Sequence, residues 1–304
     1  MNSIDQKTIN ILKRYVPDYF INERMIYFDL LENSKKEFPS SNWDVFIDYI
    51  EKHPEINPRQ IFIDNDSYNS PTYFEKCYEK LLNIKFDNLN GTYYFHWFVE
   101  NPVFPAEGVS RSRYETVQEG LNIASRCTKS PKNIKILDIG GGYGRLAEFF
   151  LRMFPNCTYY MADTFVLSTI SAEWYLSHVV NPNQIKYLNH VGLERRLNFI
   201  STDQIKDYSD FDMIANVHSM DEMDADTIQK IIDIISYPQR AKSLYLKNHF
   251  RTYGLAGNQI REQEWGYMIP KNKYSLMESI PASEEMGFVN RLTYERFYIS
   301  TEKK

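Results

Sequence analysis

Ile136-Leu-Asp-Ile-Gly-Gly-Gly-Tyr-Gly-Arg145 is a short apolar run that breaks into glycines and passes directly into a helical pattern. A run this short and this apolar suits a strand buried on both faces of a parallel sheet, with a helix starting near Arg145. Glycines at 140, 142 and 144 let the chain turn sharply and keep side chains away from the backbone amides, a surface against which a ligand can lie. Asp138 stands at the end of the strand, beneath that surface.

Downstream of this turn, apolar runs alternate with helical stretches. The strand candidates are Thr158 to Ala162, Leu197 to Ser201, Phe211 to Asn216 and Ser243 to Lys247, with helices around Arg145 to Met153, Leu167 to His178 and Thr227 to Ile235. This is a β/α rhythm with connections long enough for crossovers, so an α/β fold is expected, a doubly wound and mostly parallel sheet. Two extended segments at the carboxyl end, Tyr274 to Ile280 and Val289 to Ser300, read as edge strands, at least one antiparallel, and complete seven. Residues 1–130 differ. They carry apolar positions at mixed helical spacings, including Ile9, Ile11, Leu12, Ile26, Leu30 and Leu31, and are punctuated by prolines from Pro54 to Pro105. We read them as a helical amino-terminal region whose last helix runs from about Ser112 to Arg126, ahead of a sheet domain at 131–304.

Composition narrows the classes. The chain has 304 residues, enough to bury a core without disulfides, and a formal net charge of -5. That charge argues against a protein living on the phosphates of nucleic acid. The longest charge-free stretches, Asn88–Val99 and Trp174–Ile185, fall short of the roughly 18 to 20 apolar residues that span a bilayer, so no membrane span is expected. Met1 to Lys7 lacks a basic segment leading into an apolar one, which makes a cytoplasmic location the expectation. The 3 cysteines, at 77, 127 and 157, form neither a zinc motif nor a disulfide framework and read as buried thiols.

A dinucleotide fingerprint needs G-x-G-x-x-G/A, and the sixth position counted from Gly140 is the bulky Arg145. The spacing Asp138-x-Gly140-x-Gly142-x-Gly144 instead resembles the first motif of class I S-adenosylmethionine-dependent methyltransferases. The resemblance implies that the turn packs against the amino-acid part of that cofactor. It also implies that an acid ending the second strand holds the ribose hydroxyls, and Tyr159-Tyr-Met-Ala-Asp163 supplies one. Neither carboxylate faces a phosphate on such a ligand. After the third strand, Thr202 and Asp203 stand where this fold often meets the adenine. Asp203 has an equal alternative as the cap of the next short helix.

From the glycine turn to about Ile269 the chain is similar to the sugar O-methyltransferases of bacterial surface-polysaccharide gene sets. The residues that carry this are Leu137 to Leu146, Trp174-Tyr-Leu176, Asn216-Val-His-Ser-Met-Asp-Glu-Met223, Leu244-Tyr-Leu-Lys-Asn248 and Trp265. The resemblance implies methylation of a hydroxyl on a sugar or similar polar small molecule, with S-adenosylmethionine as cofactor, Asn216 among the cofactor-side residues and the amino-terminal region as a substrate-side cap.

Methyl transfer to a hydroxyl needs donor and acceptor aligned and a base to take the acceptor proton. In an open α/β sheet, ligands gather at the carboxyl ends of the strands, so the segments after the fourth and fifth strands face the reacting atoms. They carry His218 and His249. His218 is the first candidate base, against a role bonding the loop or packing on the cofactor, and His249 is the second. Among the acids that follow, Asp224 and Asp226 suit the start of a helix near Ala225, while Glu222 could orient the acceptor or assist His218. No paired-acid motif follows the fifth strand, where Lys247-Asn-His249 stands, and no metal is expected.

Three functions compete on these residues. The first is an O-methyltransferase acting on a sugar or glycosylated small molecule. The second is a natural-product methyltransferase acting on a carboxylate, amine or phenol, and the third a cofactor-binding partner protein without catalysis. Nucleic-acid methylation is disfavoured further because no Asn/Asp-Pro-Pro-aromatic signature follows the fourth strand. The expected partner is a small molecule, with a homodimer left open.

Overall fold

The computed structural model describes residues 3–38 except 15 and 25, the isolated positions 48, 51, 52 and 54, residues 119–127, and residues 133–302 except 143, 155, 178–179, 189–193, 221–222, 250–267 and 283–292. Helices α1 (Ser3–Leu12), α2 (Asp18–Glu23) and α3 (Ile26–Glu37) come first, and residues 119–126 form α4. Then follow β1 (Lys135–Ile139), α5 (Arg145–Met153), β2 (Thr158–Ala162), α6 (Val166–Leu176), β3 (Ile185–Lys186), β4 (Leu197–Ile200), β5 (Met213–Val217), α7 (Ala225–Ser236), β6 (Ser243–His249), β7 (Tyr274–Ala282) and β8 (Thr293–Ser300). The α/β rhythm read from the sequence is the observed one. Among the described residues, no helix is long and apolar enough to cross a membrane.

The strands form one sheet in the order β3-β4-β2-β1-β5-β6-β8-β7. The first six are parallel, and β8 runs antiparallel to both β6 and β7. Among the described residues there are thus 8 strands rather than seven. The extra one is the two-residue β3, which pairs Ile185 and Lys186 with Leu197 and Asn198. Two residues carry no readable alternation, which is why the strand escaped notice. A second correction concerns β8, which is interior and lies between β6 and β7. Only β7 is an edge.

Strand alternation sends Ile136, Tyr159, Phe199 and Met213 to one face, under α5 and α6, and Leu137, Tyr160, Ile200, Ile214 and Leu246 to the other, under α7. Phe149 and Phe150 of α5 and Phe154 just after it bury themselves together, Phe150 stacking on Phe154 at 5.4 Å between ring centres. Helix α6 is buried over most of its surface because α1 covers its outer side. The described amino-terminal helices therefore share the core of the sheet. Arg24, following α2, fastens them electrostatically. Its guanidinium donates to the fully buried Glu173 of α6 at 2.6 Å and lies over the rings of Phe20 and Tyr187, at 4.2 and 4.8 Å. Cys157 is a buried free thiol and Cys127 a half-buried one, while Cys77 lies outside the described residues.

Candidate active site at the carboxyl ends of the strands

Because β4, β2, β1, β5 and β6 run the same way, their carboxyl ends share one edge of the sheet, and the chain changes direction of winding between β1 and β5. The glycine turn occupies that switch point. Gly140, Gly142 and Gly144 all have positive φ, at 70°, 56° and 91°. At Gly140 a methyl group would strike the Ser219 hydroxyl at 2.1 Å, and at Gly144 it would strike Leu176 at 2.7 Å. At Gly142 a methyl group would meet nothing within 4 Å. Its glycine is demanded by backbone conformation and faces open space, the shape of a cradle for a guest.

Two carboxylates flank this cradle. The Gly142 amide donates to Asp163 Oδ2 at 3.2 Å, and the Phe165 amide donates to Asp163 Oδ1 at 2.8 Å. Burial raises the Asp163 carboxyl to about 6 against the pull of these amides. Asp138 is buried at the end of β1 and accepts from the Tyr159 hydroxyl at 2.8 Å. Burial pushes it up to about 7. The Tyr159 bond opposes that rise, and the negative charges of Asp163 and Glu119 add to it.

The Asn216 side chain is fully buried and engaged by its own loop. Its amide donates to the Ile139 carbonyl at 2.7 Å and to the Ser219 hydroxyl, and its oxygen accepts from the Met220 amide at 3.2 Å. It joins the end of β5 to the end of β1. Thr202, also buried, shares a hydrogen bond of 2.9 Å with Ser34 of α3. Asp203 accepts from the Ser201 hydroxyl. The cap of that short turn is Ser201 itself, in a reciprocal box with Gln204, so Asp203 is not the cap. Asp224 does cap α7, accepting from the Thr227 amide at 2.8 Å.

His218 follows β5 with a left-handed φ of 56°, a costly backbone for a residue with a side chain. Its amide donates to the Lys247 carbonyl at 2.8 Å, pinning the loop after β5 to β6. The backbone of His249 ends β6. Glu222 and Asp221 lie outside the described residues, as does Trp265.

The sequence reading missed a buried ion pair. Lys247 Nζ lies 2.6 Å from Glu119 Oε1, a residue of α4, and both side chains are buried. Burial alone would raise the Glu119 carboxyl, but Lys247, Arg145 and His218 outweigh it and hold the group below its ordinary value. This carboxylate from the amino-terminal region thus stands within electrostatic reach of β1, α5, β5 and β6 at once. Gly120 allows the approach, since a methyl group there would meet the Phe149 ring at 2.1 Å. A lysine inside the apolar strand Leu244-Tyr-Leu-Lys247 was the available signal, because lysines are seldom buried unpaired.

No family model and no curated protein sequence matches the chain. Among solved structures it is similar to magnesium protoporphyrin IX methyltransferase ChlM from Synechocystis PCC 6803 with bound SAH. That match has 13% identity and a TM-score of 0.47, and covers 70% of this chain and 95% of that one. It is also similar to the mitomycin 7-O-methyltransferase MmcR, at 15% identity and a TM-score of 0.42 over 80% of this chain and 76% of that one. A third is the N-methyltransferase NodS from Bradyrhizobium japonicum WM9 in complex with SAH, at 11% identity and a TM-score of 0.43 over 75% and 98%.

Proposed function

We propose that the chain is an S-adenosylmethionine-dependent methyltransferase whose acceptor is a hydroxyl of a sugar or glycosylated small molecule. The observation that carries the cofactor is Gly142, held at positive φ over open space and tied through its amide to Asp163. The residues fit the group. Asp163 would accept from the ribose hydroxyls, the turn from Gly140 to Gly144 would face the amino-acid part, and Asp138 would support the turn from below. Thr202 and Asp203 would face the adenine, and Asn216 would hold the loop that closes the site. When bound, the cofactor supplies an electrophilic methyl group on a sulfonium.

The chain itself must hold the acceptor and move one proton. His218 is the proposed base, which would take the proton of the acceptor hydroxyl. Glu222 orients the acceptor or assists His218, and His249 is the second candidate base. The amino-terminal region covers the acceptor side. The resemblance carried by Asn216 to Met223 and Leu244 to Asn248 supports a hydroxyl acceptor, and Lys247-Asn-His249 standing where a paired-acid motif would follow the fifth strand supports a mechanism without metal.

Calorimetry with S-adenosylmethionine, S-adenosylhomocysteine and NAD tests the cofactor. One-to-one binding of the first two and none of the third is expected, and no heat with either methyl-cycle ligand on folded protein refutes the reading. A cofactor-release assay over nucleotide sugars, free glycans, small phenols, amines and carboxylates tests the acceptor. Turnover confined to the last three classes moves the assignment to natural-product methylation.

A further inference from the structure

Two asparagines stand at the carboxyl ends of neighbouring strands, and the fold treats them in opposite ways. The alternation that sends Ile214 of β5 and Leu246 of β6 into the core under α7 places Asn216 and Asn248 on that same face. Asn216 pairs in register with Leu246, and Asn248 lies one step further toward the site, opposite Tyr294 of β8. Both side chains are completely buried. Asn216 uses both ends of its amide, bonding Ile139, Ser219 and Met220. Among the described residues, neither Nδ2 nor Oδ1 of Asn248 has a hydrogen-bonding partner.

A buried amide with no partner loses its hydration without compensation, and an apolar side chain of similar size would fold there more easily. Groups left in this state at the ligand edge of a sheet are accounted for by something that arrives later. We propose that Asn248 is an acceptor-positioning residue, its Nδ2 donating to and its Oδ1 accepting from hydroxyls of a polyhydroxylated acceptor. The carboxamide offers two donors and an acceptor within one rigid plane, which matches adjacent hydroxyls that each donate and accept. It follows Lys247, whose carbonyl holds the His218 amide, so an acceptor bound at Asn248 lies beside the loop that carries the proposed base. The inference rests on the acceptor reading given above.

The test compares the wild type with Asn248→Val and Asn248→Leu, which bracket the amide in size. In the ligand-free protein at least one of them should raise Tm by a few degrees, and the Tm shift on adding S-adenosylhomocysteine should be unchanged in both. A lower Tm in both means that the amide is bonded within the folded protein and overturns the proposal. The compound that the wild type turns over, drawn from UDP-glucose, UDP-N-acetylglucosamine, GDP-mannose, methyl α-glucoside, catechol and phenethylamine, should show KM raised at least tenfold in the variants and kcat changed less. An unchanged KM overturns the proposal. Turnover of catechol or phenethylamine alone refutes the sugar reading, while the same KM ratio still judges Asn248. If none of the six is turned over, the Tm comparison decides.

Discussion

The two halves of the candidate site are built from different materials. On the β1–β2 side, backbone does the work, with glycines of positive φ, open space over Gly142 and two carboxylates whose burial raises them to about 7 and about 6. On the β5–β6 side, side chains do it, through the buried Lys247–Glu119 pair, the strained His218 and the two asparagines. A backbone site is a local property of consecutive residues. A side-chain site is brought together from segments more than a hundred positions apart, as Glu119 and Lys247 are. The first should therefore tolerate substitution as a fold and fail as a binder, whereas the second should fail in catalysis or in stability.

The largest effect expected is at His218. A positioned base contributes about 100- to 10,000-fold, so His218→Ala should lower kcat by that order with cofactor affinity nearly unchanged. Steady-state rates beside calorimetry check this, and a silent His218→Ala with a damaging His249→Ala moves the base to β6. Chelator treatment should leave wild-type turnover intact. Loss of activity restored by magnesium would make Asp221 and Glu222 ligands and leave His218 an auxiliary group.

Next in size is the ion pair. Lys247→Met strands the Glu119 carboxylate in the core, and breaking a buried pair from one side costs about 3 to 5 kcal/mol. Urea unfolding should show that loss, and Lys247→Met with Glu119→Leu should recover much of it. A fully additive double variant would mean that the pair is not coupled.

On the backbone side the effects fall on binding. Asp163→Ala should weaken cofactor affinity by about 1 to 3 kcal/mol, the scale of lost hydrogen bonds to a charged group, and leave the domain folded. Gly142→Ala should weaken it further, since the methyl group enters the space over the turn, while the absence of any clash for that methyl group limits the folding cost to the left-handed backbone, about 1 to 2 kcal/mol. Titration calorimetry and urea melts of both variants separate the two quantities. Equal binding losses would mean that the turn is not the cradle.

The smallest effect is a pH dependence. Asp138 and Asp163 have folded values raised above those of an unfolded aspartate, so their ionisation opposes folding of the ligand-free chain. That penalty is complete above about pH 7 and disappears as pH falls toward about 4, below the unfolded value. Cofactor binding runs the other way if Asp163 holds the ribose as proposed, because the carboxylate must then be ionised to accept from both hydroxyls. The Tm gain on adding S-adenosylhomocysteine should therefore shrink between pH 8 and pH 5. A constant gain would show that neither carboxylate titrates at the ligand.

Much of the architecture was legible along the chain. Ile136 to Arg145 announced a buried strand, a turn and a helix, because all three are set by nearest neighbours and by the absence of a Cβ. The Asp224 cap was legible for the same reason, its partner Thr227 being three residues away. The insertion of β8 between β6 and β7 was not, since which strands pair is decided by the faces they can cover and not by their own pattern. Nor could the sequence separate Asn216, which is consumed by its loop, from Asn248, whose amide has no hydrogen-bonding partner among the described residues. The sequence by itself determined the glycine turn, its acid and the β/α rhythm, all consequences of backbone freedom and short-range periodicity. Only the tertiary structure decided that a carboxylate from α4 is paired with a lysine in β6 and that the buried Asn248 amide has no hydrogen-bonding partner among the described residues, because both follow from which distant side chains burial forces together.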